Sequence, residues 1–311
     1  MTSSPLISVI LVNWNTRELA DTAITSLKRH ERSTSLEIIV VDNASRDGSA
    51  DHLESRHPDI TVIRNPENSG FARGNNLGVS RATGRNVLLL NTDTRFDAEV
   101  LPACLGVLEE RNPAIVGCRL LNADGSLQVS AEPFPTLRTY LREVFSTVNG
   151  AMRRREQPLA AAQDPLRVDW LCGAFLLLDR QLYLDMGGLS EDIFMYGEDV
   201  EFCWRGRARG ATSWYVPGVS IVHYGGGGIS HGTLRSLVIS DAGRLRAFAK
   251  MRGRVAAGAL RGIFFLRSIL RAPAFAIAGS LRGDRSALLR ARSHLIECLI
   301  LTGMLDARRF V

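Results

Sequence analysis

A run of four large apolar residues, Val87–Leu90, ends abruptly in the polar sequence Asn91-Thr92-Asp93. Such a run is typical of a strand buried on both faces at the centre of a parallel sheet. Open α/β sheets bind ligands beyond the carboxyl ends of their strands, where Asn91 and Asp93 would emerge on the same side. That arrangement suits a divalent cation that holds a diphosphate. A single Asp after a strand is also a common cap of a helix or a turn.

The segments before this run alternate between two patterns. Apolar strands are predicted at Leu6–Asn13, Leu36–Val41 and Ile60–Ile63, and the first is followed by a helical pattern with Thr16 as its N-cap. This alternation predicts a doubly wound α/β fold over the first 97 residues. Asp42 follows the second strand and is therefore expected on the same sheet edge as Asp93.

A glycine-rich segment, Asn65–Gly78, follows the third predicted strand. Its glycines would let the backbone approach a ligand closely, and the segment up to Arg81 is expected to begin a helix that faces phosphate. The chain has neither the G-x-G-x-x-G fingerprint after its first strand nor a G-x-x-x-x-G-K-[ST] loop. A dinucleotide site and P-loop phosphoryl transfer are therefore not expected.

The second half alternates less regularly. Helices are predicted at Glu99–Glu110 and Glu198–Arg209, a buried strand at Asp169–Asp179 and further strands at Ala114–Cys118 and Val219–Val222. Between them, residues 131–169 lose periodicity and contain four prolines and a triplet of arginines, Arg153–Arg155. Two interpretations remain open for this segment, a solvated insertion and a mobile lid over the donor or acceptor.

The net charge of +6 is unevenly distributed, since residues 243–311 contain fourteen Lys and Arg against three Asp and Glu. Helices are predicted at 234–251, 255–270, 274–281 and 286–304. Arg261, Arg267, Arg271 and Pro273 interrupt the most apolar stretch, so we expect no segment of about 20 apolar residues that spans a bilayer. Such helices suggest a tail that lies on a membrane surface, or a helical appendage packed on the core or on a second subunit.

The amino terminus, the cysteines and the composition of the tail indicate where the protein is located and which partners it lacks. The amino terminus has no basic n-region before its apolar run, so a first strand is expected there and not a signal peptide, and the protein is expected in the cytoplasm. Five cysteines, odd in number and without C-x-x-C spacing, predict buried free thiols and neither disulfides nor zinc. The tail lacks the interleaved aromatic residues of a nucleic-acid platform.

Five motifs in order carry a resemblance to a known family. They are Val41–Ser49, Asn68–Gly78, Leu90–Asp93, Trp170–Phe175 and Gly187–Cys203. Together they resemble family 2 glycosyltransferases of the GT-A fold, in the bacterial rhamnosyltransferase-like branch. The resemblance implies a GT-A domain over residues 1–235, with a nucleotide-binding half at 1–97 and an acceptor half at 98–235. Residues 236–311 would then form a basic helical tail.

The resemblance also assigns the donor site. Asp42 matches the residue that accepts a hydrogen bond from the pyrimidine N3–H, and Asp93 matches the last carboxylate of the D-x-D metal motif. Asn91 departs from that motif, which has Asp at this position. An amide oxygen is a weaker cation ligand than a carboxylate, so tight metal binding without nucleotide is not expected. The full set of expected nucleotide and donor residues is Asn13, Asn15, Asp42, Arg73, Asn75, Asn91, Trp170 and Gly173.

The same resemblance places Asp199 at the position of the catalytic base, with Glu198 beside it, and His223 beside the metal or the diphosphate. His231 is a further candidate for that last role. Read without the family, Glu198 and Asp199 are also the acidic first turn of a well-capped helix. A base is needed because a sugar hydroxyl is a poor nucleophile until a carboxylate accepts its proton. The expected metal ligands are thus Asp93 and His223, with Mg²⁺ or Mn²⁺ as cofactor.

The sequence thus predicts an inverting glycosyltransferase, with dTDP-L-rhamnose as the first choice of donor and a cell-surface glycan or lipid-linked precursor as acceptor. UDP-galactofuranose, UDP-hexoses and GDP-mannose are alternative donors, and a non-catalytic nucleotide-sugar-binding scaffold is an alternative function. A nucleotidyltransferase would carry a glycine-rich loop with Lys or Arg after the first strand, where this chain has Asn13-Trp-Asn-Thr. We expect a peripheral protein on the inner membrane face, without nucleic acid and with oligomerisation possible.

Overall fold

The structure, a computed structural model, describes residues 6–145, 156–225 and 233–305. These residues form two compact units. Unit 1 holds the described residues of 6–134, 156–194 and 198–225, and unit 2 holds those of 135–145, 195–197 and 233–305. The predicted triplet Arg153–Arg155 and His231 lie outside the described residues.

Unit 1 contains all the strands. They are β1 Ile7–Asn13, β2 Leu36–Asn43, β3 Thr61–Asn65, β4 Asn86–Asn91, β5 Thr94–Arg95, β6 Ala114–Leu121, β7 Leu127–Gln128, β8 Ala131–Glu132, β9 Leu166–Val168, β10 Trp170–Leu171, β11 Phe175–Asp179 and β12 Thr212–His223. Helices are numbered along the chain, and those of unit 1 are α1 Arg17–His30, α2 Ser49–Arg56, α3 Gly70–Val79, α4 Leu101–Arg111, α6 Arg180–Asp185 and α7 Glu198–Ala208. Unit 2 is formed by α5 Leu137–Phe145, α8 Leu234–Arg252, α9 Arg254–Arg282 and α10 Arg285–Leu301.

The large sheet has the order β3-β2-β1-β4-β11-β6-β12-β5. Strands β1 to β4 are parallel, β11 is antiparallel to both β4 and β6, and β12 is parallel to β6. The predicted doubly wound, mixed α/β sheet with a helical carboxyl-terminal region is therefore confirmed. The carboxyl ends of β1, β2, β4, β6 and β12 lie at one edge, which we call the carboxyl edge.

The run Val87–Leu90 is buried on both faces, as predicted, with each of its side chains at most 1% exposed. Leu88 and Leu90 pack in an apolar layer with α1 and α4. Val87 and Leu89 pack in a second layer with α3, α6 and α7. Because these two layers cover both faces, only loops and strand ends at the edges of the sheet remain for binding. All five cysteines are unpaired; Cys104, Cys118 and Cys203 are buried, whereas Cys172 and Cys298 are half-buried.

The single strand predicted at Asp169–Asp179 is wrong, because the structure has two strands there in two sheets. β10 pairs with β8 in a separate two-stranded sheet, and β11 runs antiparallel to β4. Leu171 lies over Gly117 of the large sheet, where a Cβ would come within 2.9 Å of the Leu171 side chain. β10 thus lies over the large sheet, and the loop Cys172–Ala174 returns the chain to it at the carboxyl edge.

The glycine-rich segment also differs from its prediction. Helix α3 begins inside it, at Gly70, and three of its glycines face protein and not a ligand. A Cβ on Gly74 would lie 2.7 Å from Val12, a Cβ on Gly78 would lie 2.4 Å from Ile10, and Gly70, at φ +85°, would contact the Phe194 carbonyl oxygen at 2.6 Å. Gly74 and Gly78 let α3 pack closely against β1, and Gly70 lets the start of α3 approach Phe194.

Unit 2 corrects two further predictions. Helix α9 continues through Pro273, although Pro removes one helical hydrogen bond and costs about 3 kcal/mol or more. Packing of α9 on α8 and α10 offsets that cost. By length and composition α9 is the one helix among the described residues that could cross a membrane, so the expectation that its arginines exclude this was too strict. Buried helices of soluble proteins meet the same criterion.

The aperiodic segment 131–169 is not simply a solvated insertion. It contains β8, β9 and α5, and the latter is part of unit 2. Tyr140 of α5 packs edge to face on Phe248 at 5.8 Å and on Phe264 at 5.6 Å between ring centroids. Aromatic contacts of this kind hold α5 on the helices of unit 2, although none of its residues is fully buried.

Candidate functional site

The carboxyl end of β2 carries a buried carboxylate whose two oxygens are both held. Asp42 is 5% exposed and lies opposite Asn13 in the parallel pairing of β1 and β2. Asn13 Nδ2 donates to Asp42 Oδ1 at 3.0 Å, and the backbone N–H of Ser45 donates to Asp42 Oδ2 at 3.1 Å. Asp42 thus belongs to the strand and not to the following turn, and its orientation is fixed by its neighbours.

The loop after β1 is built around the same group. Asn15, at φ +55°, accepts from the Arg46 N–H at 2.7 Å and donates its own N–H to Ser45 Oγ at 2.9 Å. Thr16 occupies the N-cap position of α1, as predicted, but its side chain does not cap the helix. Its hydroxyl instead donates to Asn13 Oδ1 at 2.7 Å and lies 3.1 Å from the Thr92 hydroxyl. The β1 loop is therefore tied to the loop that bears Asp93.

Asp93 and His223 meet although 130 residues separate them. β5 follows Asp93 directly and pairs with the end of β12, where His223 is opposite Thr94. His223 Nε2 lies 3.2 Å from Asp93 Oδ1 and 3.2 Å from Asn91 Nδ2. The side chains of Asp93 and His223 are each about nine-tenths buried.

A residue that the sequence analysis missed, Gln128, completes this group. Gln128 Oε1 lies 2.6 Å from His223 Nδ1, and Gln128 Nε2 donates to Asn122 Oδ1 at 3.0 Å. Because the amide nitrogen is used in this way, the amide oxygen faces the imidazole and accepts from Nδ1–H. In the neutral ring the Nε2 lone pair then points towards Asp93 and Asn91. No spacing or motif in the sequence links Gln128 to His223.

These residues fit a divalent cation. The 3.2 Å between Asp93 Oδ1 and His223 Nε2 is close to the separation of about 3 Å between adjacent ligands of an octahedral Mg²⁺. Within the described part of the chain, no group of three or more His, Cys, Asp and Glu side chains could hold a metal. Mg²⁺ in nucleotide sites is commonly held by one or two protein groups together with substrate phosphates and water. The donor set therefore fits a cation whose coordination a nucleotide completes.

The loop Cys172–Ala174 connects this group to the start of α7. The Gly173 N–H donates to Asp199 Oδ2 at 3.0 Å, and the Asn91 N–H donates to the Ala174 carbonyl at 3.1 Å. Burial, together with the negative charges of Asp199, Glu198 and Asp93, raises the pKa of the Cys172 thiol to about 12. The three carboxylates thus act on one thiol, which stays protonated at neutral pH.

The first turn of α7 holds three acids with different partners. Asp199 Oδ1 accepts from the Val200 N–H at 2.8 Å, so both of its oxygens are oriented by backbone amides. Glu198 is buried at the start of the helix, 5% exposed. Glu201 is paired with Arg205 at 2.9 Å and accepts from the Ser190 hydroxyl at 2.8 Å. The contact between Glu201 and Ser190 fixes the loop before α7. Asp199 and Glu198 therefore remain as the candidates for chemistry.

Three predicted site residues make their contacts elsewhere. Arg73 is half-exposed and forms an ion pair with Glu191 at 3.3 Å. Asn75 is 1% exposed; its Nδ2 donates to the Phe71 carbonyl at 2.9 Å, and its Oδ1 has no hydrogen-bond partner. Trp170 donates its indole N–H to the Pro133 carbonyl at 3.2 Å. None of these contacts joins the group at the carboxyl edge.

A cavity of about 660 Å³ in unit 1 is not lined by Asp42, Asp93 or His223. Its walls are formed by β8, β9, the end of α7 and the start of β12, including Arg167, Asp169 and Thr212. Thr212 pairs with Ala114, at the opposite end of β12 from His223. The cavity is therefore separate from the carboxyl edge.

The chain is similar to known proteins in sequence and in fold. Residues 8–159 match the family described as Glycosyl transferase family 2. The chain is 27% identical over 221 residues to the low-salt glycan biosynthesis hexosyltransferase Agl10 of Haloferax volcanii, covering 70% of this chain and 66% of that protein. It is 26% identical over 207 residues to the N-acetylglucosaminyl-diphospho-decaprenol L-rhamnosyltransferase of Mycobacterium tuberculosis, covering 60% and 66% of the two chains. The chain thus spans about two thirds of the length of these relatives.

A solved structure extends the likeness to the fold. The mannosyltransferase PcManGT of Pyrobaculum calidifontis, in complex with GDP-Man and Mn²⁺, superposes with a TM-score of 0.54 over 96% of this chain and 88% of its own, at 17% identity. At that identity the likeness concerns the fold alone. Sheet order, family match and structural likeness agree: residues 8–159 belong to a Glycosyl transferase family 2 domain, and the fold is GT-A-like.

Proposed function

We propose that the protein is an inverting, metal-dependent glycosyltransferase that moves a sugar from a nucleoside diphosphate to a hydroxyl group of a glycan precursor. L-Rhamnose carried by dTDP is the first choice of donor, and a lipid-linked glycan is the first choice of acceptor. In this proposal residues 1–97 bind the donor nucleotide, residues 98–235 receive the acceptor and residues 236–311 form a tail at the membrane surface.

The observation that carries the proposal is the loop Cys172–Ala174. It holds the Asp199 carboxylate through the Gly173 N–H and joins the end of β4 through the Asn91 N–H. A base on α7 and a cation site beside β4 are thereby linked through three residues. Inverting transfer needs this arrangement, because the nucleophile and the leaving group act on opposite sides of one carbon.

In the proposed reaction the acceptor oxygen attacks the anomeric carbon and forms a new C–O bond. The bond between that carbon and the diphosphate oxygen breaks, and the nucleoside diphosphate leaves with the electron pair. Asp199 receives the proton of the hydroxyl group. Because attack occurs opposite the leaving group, the configuration at the anomeric carbon inverts. Glu198 contributes negative charge beside the base.

The donor base is proposed to contact Asp42. The Asn13 side chain and the Ser45 amide hold the carboxylate of Asp42, so its orientation does not have to be set when nucleotide binds. Uracil and thymine offer the same N3–H, and the sugar is therefore chosen by other contacts, for which Gly173 and Trp170 are the proposed residues. The name of the mycobacterial relative, an L-rhamnosyltransferase, supports rhamnose. UDP-galactofuranose, a UDP-hexose and GDP-mannose are the alternative donors to test.

A divalent cation is proposed to bind at Asp93 and His223, with Asn91 beside them. When bound, such a cation neutralises charge on the departing diphosphate. The structural relative solved with Mn²⁺ and a nucleotide sugar supports this choice. Asp93 and His223 are held close together by the pairing of β5 with β12, and Gln128 orients the imidazole.

Thermal shift measurements test the donor and the metal together. dTDP, UDP and GDP are each added with and without Mg²⁺ or Mn²⁺, because a ligand that binds only the folded state raises the melting temperature. We expect metal-dependent stabilisation by dTDP or UDP, followed by turnover with the matching sugar. Stabilisation without turnover of any donor would favour the non-catalytic scaffold, and no stabilisation by any nucleotide would contradict the donor site.

The membrane location is tested by flotation of the full chain with vesicles. Of the fourteen exposed large apolar side chains in the described residues, thirteen lie in unit 2. Leu281, 81% exposed on α9, is replaced by Glu, and Leu184, 42% exposed in unit 1, is replaced by Glu as the matched control. We expect Leu281→Glu to reduce flotation and Leu184→Glu to leave it unchanged. Equal flotation of both variants would reject α9 as the membrane contact.

A further inference from the structure

A second cavity, of about 370 Å³, lies within unit 2 among α8, α9 and α10. Four arginines line it, two exposed and two at least half-buried; they are Arg244, Arg267, Arg271 and Arg290. Pockets for small ligands begin at about 300 Å³, so this one accommodates a small ligand or the head of a larger one.

The charges around the cavity do not cancel. Arg267 is bonded to Asp241 and, at 2.7 Å, to Glu297, so one guanidinium group faces two buried carboxylates, and burial together with Glu297 raises the pKa of Asp241 to about 7. Arg271 donates to a backbone carbonyl, that of Glu143, at 3.3 Å. Arg244 makes no hydrogen bond or ion pair with the described residues. Arg244 therefore faces the cavity without a carboxylate partner among the described residues.

The charges around the cavity also shift the pKa values of two groups in its wall, His294 and Arg271. Burial, with the charges of Arg267 and Arg271, lowers the pKa of His294 to about 4, so the imidazole in the cavity wall is neutral at pH 7. Burial and the charge of Arg267 lower the pKa of Arg271 and outweigh the opposite effect of Glu143, Glu297 and Asp241, so the charge of Arg271 is disfavoured. A bound anion would compensate that charge.

The remaining polar lining suits phosphate oxygens. Ser240 places a hydroxyl group in the wall, whereas the hydroxyls of Ser236 and Ser293 donate to the carbonyls of Thr233 and Leu289. The Nε–H of Arg267, a residue that is 9% exposed, is buried without a hydrogen-bond partner. Guanidinium groups bind phosphate through pairs of parallel hydrogen bonds, and hydroxyl groups add neutral donors. A carboxylate ligand would use fewer of these donors than a phosphate or diphosphate.

The surface around this unit indicates where such an anion comes from. Exposed apolar side chains concentrate on α9 and α10, with Leu281 at 81%, Leu289 at 63% and Ile277 at 61% exposure. A free phosphate in solution has no use for an apolar surface, whereas an amphiphile presents its phosphate at the boundary with its acyl or prenyl chain. We infer that the cavity of unit 2 binds the phosphate or diphosphate head of a membrane amphiphile.

Binding of two probes to the full chain tests this inference. Inorganic pyrophosphate and farnesyl diphosphate are titrated by calorimetry in the presence of EDTA, so that a cation site in unit 1 does not contribute. Arg244→Glu removes one lining charge. Arg246→Glu is the matched control, since Arg246 is exposed on the same helix but does not line the cavity. The measurement concerns unit 2 alone and stands whether or not unit 1 transfers a sugar.

We expect farnesyl diphosphate to bind more tightly than pyrophosphate. Arg244→Glu should weaken both by about tenfold or more, the usual effect of losing a charge-assisted hydrogen bond, and Arg246→Glu should change them by less than about twofold. Equal weakening by the two variants would overturn the cavity as the binding site. Equal affinity for the two probes would overturn the amphiphile and indicate a site for free diphosphate. Absence of binding by both probes would overturn the inference altogether.

Discussion

Replacement of Gln128 by Leu should weaken the binding of Mn²⁺ without unfolding the protein. Gln128 Oε1 accepts from the His223 Nδ1–H at 2.6 Å, and the His223 side chain is 11% exposed. Leu has a similar volume but no acceptor, so it leaves the buried Nδ1–H of His223 unpaired. The tautomer that presents the Nε2 lone pair to Asp93 is then no longer favoured. An unpaired buried donor costs about 1–3 kcal/mol.

That cost applies to metal affinity when the imidazole must be reoriented before it can bind. Since 1.4 kcal/mol is a factor of about ten in a dissociation constant, we expect affinity to fall by about ten- to a hundredfold. The measurement is the concentration of free Mn²⁺ by electron paramagnetic resonance, with saturating nucleoside diphosphate. Turnover should fall in parallel at low Mn²⁺ and recover at high Mn²⁺.

Two comparisons make this prediction refutable. Gln128→Glu keeps an acceptor oxygen for Nδ1–H and should lose less affinity than Gln128→Leu. Gln181→Leu, which removes an exposed glutamine bonded to Asp185, should lose none. If Gln128→Leu binds Mn²⁺ as the wild type does, while His223→Ala does not, then the positioning of His223 by Gln128 is wrong.

Three further predictions concern the base, the α3 contact and pH. Asp199→Asn should abolish turnover and leave the nucleotide-dependent thermal shift unchanged; unchanged turnover would reject Asp199 as the base. Gly70→Ala places a Cβ 2.6 Å from the Phe194 carbonyl at φ +85° and should lower the free energy of unfolding by about 2–4 kcal/mol in urea. Gly48→Ala, at φ +75° with nothing within 4 Å, should cost only about 1–2 kcal/mol, and equal costs would reject the steric argument. The pKa of His294 is lowered to about 4 by burial, so the unfolded chain takes up its proton near pH 6.5 and the folded chain does not, and stability contributed by this residue falls as pH drops from about 6.5 to about 4. Between pH 7 and pH 5 the free energy of unfolding measured in urea should therefore fall by about 2 kcal/mol more in the wild type than in His294→Gln, and an equal pH dependence would contradict the buried, neutral imidazole.

The structure of the first 97 residues could be predicted well from the sequence because its signals are local. Val87–Leu90 forms the doubly buried strand that its apolar run predicts, and the parallel order of β1, β2 and β4 brings Asp42 and Asp93 to one edge. The glycines of α3 were misread for a physical reason. Close approach of backbone to a ligand and close approach of a helix to a strand need the same missing Cβ, and only the structure distinguishes them.

Features that depend on distant pairing were not predictable. The short strands β5 and β10 have two residues each, too few for any periodicity. Gln128 gains its importance from a histidine 95 residues later. Pro273 predicts a helix break locally, but packing among the helices of unit 2 outweighs it. In each case tertiary contacts decide what a short window of sequence leaves open.

The pairing of β5 with β12 has a consequence for the order of events during synthesis. Asp93 emerges from the ribosome 130 residues before His223, and the two meet only when the last strand adds to the sheet. Contacts at such sequence separation form late, because loop closure is costly until the intervening structure is in place. A nascent or truncated chain can therefore hold Asp42 in its final surroundings while Asp93 and His223, the proposed cation ligands, are still apart. Metal-dependent nucleotide binding would then serve as a sensitive reporter that the whole domain, and not only its first half, has folded.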